Sequence, residues 1–277
     1  MLARALIAVV GIVGAAVVWP SGQVGPPIAV ADWETAVERA LDGGRFREAY
    51  ALLVRAGDEP ALARGVGRRA LARLRVKYAL ELTAWPELAH LPIELFPAED
   101  TTLYWYARGL GAARAAWPGG ASEWVYMARE AAAALETLAG NRPSRAAVWR
   151  VSILAAIAAA QEERDELALL LAHARDLDRR LDAAEVDPVD GAGALEFLAG
   201  DLWWQVSRFD AAADAYRRSV ETGAGSPRRL LGLARAAAAL GRVDAARQAA
   251  AAFLGRWSEA DAGRPEVAEA GKIAGTM

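Results

Sequence analysis

Apolar residues recur every three or four positions along the chain after residue 31, and alternation at period two is absent over any useful length. The first spacing is typical of amphipathic helices and the second of strands. Turn-forming segments interrupt the pattern at residues 43–44, 118–120, 141–143, 187–188 and 223–227 and at Gly241. The sequence therefore predicts an all-α domain of antiparallel helix pairs joined by short turns.

The first 31 residues form a separate apolar leader. Their one charged residue, Arg4, precedes an unbroken apolar run over residues 5–19. As a helix this run would be about 22 Å long, short of the roughly 30 Å bilayer core, and such a length is typical of a signal peptide. The small residues of Ala29-Val30-Ala31 match the pattern that signal peptidase accepts, which predicts cleavage after Ala31.

Two alternatives for this leader stay open. One is an uncleaved membrane anchor formed by residues 5–19, with Arg4 on the cytoplasmic side, and the other is a buried N-terminal helix. The cleaved and the anchored forms both place the rest of the chain in the periplasm or another extracytoplasmic compartment. Membrane contact is then expected only through the leader, if it stays uncleaved.

Two segments of the C-terminal part repeat each other. Residues 208–212 read RFDAA and residues 242–246 read RVDAA, 34 residues further on. That spacing is the period of the tetratricopeptide repeat (TPR). Self-similarity at a fixed period therefore indicates a helical-repeat architecture.

The chain resembles the TPR family over three stretches, with small and large residues at the spacing of its motif. The first stretch has Trp33, Ala36, Ala40, Gly44, Phe46, Ala49, Leu53 and Ala56, the second Gly200, Trp203, Ala212 and Tyr216, and the third Leu233, Ala234, Gly241, Ala246 and Phe253. Small residues let paired helices approach closely, and large ones fill the groove between them. The resemblance weakens between residues 60 and 190. It implies a right-handed superhelix over residues 32–260, followed by a C-terminal tail over residues 261–277.

In the TPR family the first helix of each repeat lines the concave face. Carried over to this chain, the resemblance places seven residues on that face: Phe197, Asp201, Trp204, Gln205, Arg228, Leu231 and Arg235. Aromatic and arginine side chains dominate binding energies at protein interfaces, so this set predicts a surface for a protein or peptide. The alternative, that a neighbouring helix or the tail covers Trp204, stays open.

A basic run offers a second candidate surface. Arg64, Arg68 and Arg75 fall on one side of a predicted helix, and Arg69, Arg73 and Lys77 fall on another. Such a helix could contact anionic headgroups or an acidic protein. The alternative is a solvated helix whose charges pair with acids elsewhere in the fold.

Three consecutive aromatic residues cannot all face one way on a helix. Trp105 holds a motif position and is expected in the core, which leaves Tyr104 or Tyr106 at the surface.

Composition argues against several kinds of chemistry. The chain has no cysteine, so it has no disulfide, thiolate metal site or cysteine nucleophile. Its formal net charge of -3 gives no argument for a nucleic-acid partner. The two histidines, His90 and His173, lie on separate segments and have no second histidine beside them, and no phosphate-binding loop or nucleophile elbow is present. We therefore expect no enzyme activity and no cofactor.

The resulting hypothesis is an extracytoplasmic scaffold or adaptor that binds a protein or peptide in a cell-envelope assembly. One alternative is a solute-handling component, because Leu103-Tyr104-Trp105 loosely resembles the helical-repeat accessory (T) component of binding-protein-dependent transporters. This chain lacks the lipid-anchor cysteine of that group. The other alternative, an all-α cell-wall enzyme, would need a buried glutamate in a cleft.

Overall fold

A computed structural model describes residues 29–57, 59, 65–140, 143–181, 187–189, 191–222 and 226–275. Within these residues it contains thirteen α-helices and no strand. The helices are α1 (Val30–Asp42), α2 (Phe46–Gly57), α3 (Gly65–Glu81), α4 (Trp85–Ala89), α5 (Thr101–Ala115), α6 (Ser122–Ala139), α7 (Arg145–Ala160), α8 (Arg164–Arg179), α9 (Ala194–Gln205), α10 (Phe209–Glu221), α11 (Arg228–Ala239), α12 (Val243–Arg256) and α13 (Pro265–Ala274). Adjacent helices pack in pairs, which confirms the predicted all-α class.

Individual helices follow from local sequence. In α2 the buried residues Phe46, Ala49, Leu53 and Ala56 recur at helical spacing and form its core-facing stripe. The side chain of Ser144 caps α7 by accepting a hydrogen bond from the Ala147 amide at 3.3 Å. Pro265 stands in the first turn of α13, where its fixed φ favours helix initiation.

Five turns between paired helices share one backbone geometry. Each has a residue with φ between +52° and +71°, namely Gly44, Thr83, Glu162, Ser207 and Gly241. The following amide donates to a carbonyl five residues earlier, at 2.8 to 3.0 Å. This pattern is the Schellman motif, which satisfies the free carbonyls at a helix end. The α5–α6 connection differs, because it contains a cis Trp117–Pro118 bond.

The helices form two layers. The first helices of successive pairs contact one another, α5 with α7, α7 with α9, and α9 with α11. The second helices α6, α8 and α10 each pack on the first helices at both sides of them. Side chains of the first helices therefore lie close together across several pairs.

The two ends of the domain contact each other. The Phe46 and Trp257 rings lie 5.6 Å apart, and both belong to one core cluster that unites α1–α3 with α11–α13. The backbone amide of Asp261 donates to the Gly44 carbonyl at 3.1 Å. In an open repeat array each repeat contacts only its neighbours. Here the series of helix pairs closes on itself.

A buried polar contact also joins α3 to α11. Glu81 is 4% exposed, and its carboxylate accepts a hydrogen bond from Ser226 Oγ at 2.9 Å. Arg228 Nη1 donates to the Leu80 carbonyl at 2.7 Å. Burial raises the pKa of Glu81, although the charge of Arg228 and the Ser226 hydroxyl act to lower it.

The prediction for the consecutive aromatics was wrong. Tyr104 and Tyr106 are both buried, whereas Trp105 is only partly buried. Tyr104 lies against Phe96 in the short segment before α5, at 5.5 Å between ring centroids. Tyr106 stacks on Trp149 of α7 at 4.3 Å. Phe96, just before α5, and Trp149 of α7 therefore cover the two tyrosines, and only Trp149 is distant in sequence.

Most of the predicted leader, residues 1–28, lies outside the described residues. Helix α1 begins at Val30, so the predicted cleavage site after Ala31 falls in its first turn. Among the described helices, none combines the length and apolar character needed to cross a bilayer. The segment predicted as a tail contains α13, which packs on α11 and α12.

Candidate functional site

A cavity of about 130 Å³ lies between α9, α11, α13 and the α3–α4 turn. Five of the seven residues predicted on the concave face line it: Phe197, Asp201, Arg228, Leu231 and Arg235. Thr83, Gly232 and Glu266 complete the lining. The structure therefore brings most of the predicted set together around one small enclosed space.

Helical spacing explains why these side chains converge. Phe197 and Asp201 are four residues apart on α9, so they share one face of that helix. Arg228, Leu231 and Arg235 follow the same spacing on α11. The two faces meet because α9 and α11 contact each other.

Tyr216 of α10 sets the approach of α9 to α11. Its ring lies against Gly200 on one helix and Gly232 on the other, and a Cβ at these positions would come within 2.6 and 2.5 Å of the ring. The Tyr216 hydroxyl donates to Asp201 Oδ1 at 2.7 Å and so fixes that carboxylate at the cavity. Burial and the adjacent Asp201 charge raise the pKa of Tyr216 well above its usual range.

Arg114 of α5 joins this network from outside the cavity lining. It donates to Gln205 Oε1 at 2.6 Å and, over a longer 3.5 Å, to Asp201 Oδ2. Its guanidinium lies over the Trp85 ring at 4.8 Å from the centroid. Burial lowers the pKa of Arg114, and the Asp201 charge acts against this. Gln205, predicted on the concave face, is thus bonded to α5 and does not line the cavity.

Trp204 also lies outside the cavity lining. It is partly buried, and its ring lies 4.9 Å from Phe209 at the start of α10. It packs against a small apolar cluster that includes Phe197 and Tyr216. Trp204 is therefore packed on one side and still partly accessible to solvent.

Helix α13 borders the cavity with Glu266, and its Glu269 binds the cavity residue Arg235. Glu269 accepts hydrogen bonds from two nitrogens of Arg235, the Nε bond being 2.7 Å long. Burial acts to lower the pKa of Arg235, but the bonds and charge of Glu269 outweigh it and raise that pKa. Glu266 Oε1 accepts from Arg264 at 2.6 Å, while its Oε2 is buried and has no donor among the described residues.

Sequence reasoning missed Thr83, Arg114, Glu266 and Glu269. Pro265 followed by acids three residues apart is a helix-start signal that would have identified α13. No local signal places Arg114 or Thr83 beside α9, because both contacts depend on how distant helix pairs pack.

The predicted basic surface is only partly described. Arg64 lies outside the described residues. Arg68 donates to the carbonyls of Glu94 and Phe96, and burial lowers the pKa of Arg75. Two other members of the run pair with acids, Arg69 with Asp100 at 2.9 Å and Arg73 with Glu38 at 2.8 Å.

A second and larger hollow, about 690 Å³, lies between α6, α7 and α8. Leu154, Ile157 and Leu170 form its apolar part, and the α7–α8 turn with the start of α8 supplies charged residues at its edge. Across the described ranges, no three His, Cys, Asp or Glu side chains are grouped closely enough to hold a metal ion.

Comparison with known proteins adds no relative. The chain matches no protein-family model, no curated protein and no solved structure.

Proposed function

We propose that this chain is a non-catalytic, TPR-like module that holds a protein or peptide partner in a cell-envelope assembly. The partner would bind the face of α9 and α11 that carries Trp204 and the rim of the cavity. The observation behind this proposal is the convergence of Asp201, Arg228 and Arg235 around one cavity, on the helices α9 and α11, with the partly buried Trp204 on α9. Phe197 and Leu231 are buried beneath this face. Pre-organised helices lose little conformational entropy when they bind.

The proposed architecture is a right-handed superhelix of TPR-like helix pairs. Five turns of one geometry and a continuous layer of first helices support it. The contact between Phe46 and Trp257 makes such a superhelix short and closed at its ends. The proposed location is extracytoplasmic, either after cleavage behind Ala31 or with residues 5–19 as an inner-membrane anchor.

Crosslinked capture from the host envelope tests this proposal, with captured proteins measured by quantitative mass spectrometry. We expect Trp204→Ala and Arg235→Glu to reduce capture of the same partner by about tenfold or more, the cost of losing an interface hot spot. Tyr126→Ala and Arg217→Glu are matched controls, because these residues are 71% and 57% exposed on α6 and α10.

Arg235→Glu also breaks the ion pair to α13, so a second variant separates folding from binding. The double substitution R235E/E269R restores an ion pair with reversed charges. It should fold like the wild-type chain and still fail to capture the partner. Capture that survives both Trp204→Ala and R235E/E269R would contradict the assigned face.

A second candidate function is solute handling. The enclosed, mostly polar cavity favours it, because a space of about 130 Å³ is too small for a peptide and has room only for a very small polar molecule.

A further inference from the structure

The cavity beneath the proposed partner face has the size of a very small ligand. Its volume of about 130 Å³ equals that of roughly four water molecules. Glycine and alanine belong to this size class, whereas aromatic amino acids do not. Gly232 contributes no side chain, and Phe197 and Leu231 provide a limited apolar wall.

Arg228 differs from Arg235, the other arginine of this cavity, in its partners. The charge of the buried Glu81 interacts with Arg228, but the two form no salt bridge. Arg235 is paired with Glu269, and in the described part of the chain no salt bridge joins Arg228 to a carboxylate. One guanidinium nitrogen, Nη1, donates to the Leu80 carbonyl. A guanidinium has five N–H donors in a planar fork, so Arg228 retains donors that suit a carboxylate.

The opposite charge is provided by Glu266, whose Oε1 is bound to Arg264. Its other oxygen, Oε2, is buried without a donor in the described residues, and leaving such an acceptor unpaired costs free energy. Asp201 lines the same cavity, and its contact to Arg114 is long at 3.5 Å. Both carboxylates can therefore accept from an ammonium group.

A ligand with only one charged group could satisfy either the remaining donors of Arg228 or the Oε2 acceptor of Glu266, but not both. A ligand that carries both a carboxylate and an ammonium group satisfies the two together. We propose that the cavity binds a small zwitterionic α-amino acid, such as glycine or alanine, with its carboxylate on Arg228 and its ammonium on Glu266. This site goes beyond the proposed partner binding and does not depend on it.

Isothermal titration calorimetry of the full chain, purified from the host envelope and dialysed against buffer free of amines and carboxylates, tests the site. We expect one-to-one binding of glycine or alanine. Acetate, methylamine and tryptophan should bind at least about tenfold more weakly. Acetate lacks the ammonium group, methylamine lacks the carboxylate, and tryptophan is too large for the cavity. Absence of binding by both small amino acids, or equal binding of acetate, would overturn the proposal.

Glu266→Gln removes the charge that faces the ammonium and keeps the size of the side chain. It should weaken binding by about 10- to 100-fold, the loss expected for a charge-assisted hydrogen bond. Glu136→Gln is the matched control, because Glu136 is also paired with an arginine but lies on α6, away from the cavity. Equal affinity of E266Q and wild type would place the ligand elsewhere and end the proposal.

If E266Q does not fold, the binding site of the amino acid is tested by a measurement on the wild-type chain. Nuclear Overhauser contacts from the methyl group of labelled alanine should reach Leu231 and Phe197, and contacts only to residues outside the lining would contradict the site. Partner capture is measured with Trp204 variants, so failure of amino-acid binding and failure of partner binding are distinguishable.

Discussion

In both the middle region (α5–α7) and the C-terminal region (α9–α13), a helical glycine lets a large side chain of a neighbouring helix pack closely, but the two regions bury different kinds of residue. Gly109 contacts Ile153 in the middle region, and Gly232 contacts Tyr216 in the C-terminal region. The middle encloses apolar residues and the stacked rings of Tyr106 and Trp149. The C-terminal region encloses charged and hydrogen-bonding groups around a cavity.

This difference suggests that the middle region contributes mainly to the stability of the fold and the C-terminal region mainly to binding. Burial of apolar and aromatic surface stabilises a fold directly, whereas a buried charge costs free energy that its partners only partly return. The larger apolar core includes the middle region, where the TPR resemblance is weak, and extends from α3 to α10. The C-terminal region, where the resemblance is strong, holds the charged groups that a ligand or partner would contact.

The largest expected effect is on the middle region. Trp149→Ala removes a buried ring, its stack on Tyr106 and a 2.8 Å hydrogen bond to Asp187, and should lower the free energy of unfolding by about 3–5 kcal/mol. Phe197→Ala should cost less, because Phe197 borders a cavity. Thermal denaturation compares the two. Amino-acid binding should survive in Trp149→Ala below its melting temperature and be weakened in Phe197→Ala.

A smaller effect is expected where α9 meets α11. Gly232→Ala places a Cβ 2.5 Å from the Tyr216 ring, and such overpacking should cost about 1–3 kcal/mol. In a Tyr216→Ala background the same change should be neutral or stabilising, since alanine favours helix. A double-mutant cycle from urea unfolding measures this coupling. Equal losses in both backgrounds would show that the ring does not set the helix spacing.

The pH dependence of stability tests the buried contact between α3 and α11. Burial raises the pKa of Glu81 above its ordinary 4.5, so the folded chain binds this proton more tightly than the unfolded chain does. The corresponding stability is present below pH 4.5 and is lost as pH rises through the raised pKa. Urea unfolding from about pH 4 to pH 8 should therefore show a decline that Glu81→Gln reduces. An identical slope in the variant would contradict this assignment.

The smallest expected effect concerns two glycines, Gly241 in the α11–α12 turn and Gly255 within α12. Gly241 has φ +69° and Gly255 has an ordinary φ, and an added Cβ would meet nothing within 4 Å at either position. Gly241→Ala should cost about 1 kcal/mol from backbone strain, whereas Gly255→Ala should gain about 0.5–1 kcal/mol from helix propensity. Opposite changes in melting temperature are the expected result. A gain in both variants would show that the turn tolerates a side chain.

Local sequence patterns predicted the helices and much of the first core. Trp33, Ala40, Phe46 and Ala49, taken from the motif spacing, are all buried. Helix-forming periodicity and small-residue spacing act within a few residues of each other, so they can be read from one stretch of chain. The resemblance to the TPR family supplied the seven residues predicted on the face of α9 and α11, and five of them line the cavity.

Other features depended on contacts that local sequence does not encode. Thr83, Glu162 and Ser207 adopt the positive-φ turn conformation that glycine favours. Because these three turns contain no glycine at that position, their common geometry could not be predicted from the sequence. The docking of α13 and the approach of Arg114 to Asp201 join segments far apart along the chain. Such contacts follow from the packing of helix pairs and carry no periodic signal of their own.

Contact between Phe46 and Trp257 has an evolutionary consequence. Open solenoids lengthen or shorten readily by duplication or deletion of a repeat, because an added unit disturbs only its neighbours. In this fold an inserted helix pair would push the two ends apart and expose the core cluster that they share. Selection can therefore vary the residues within each pair much more freely than the number of pairs.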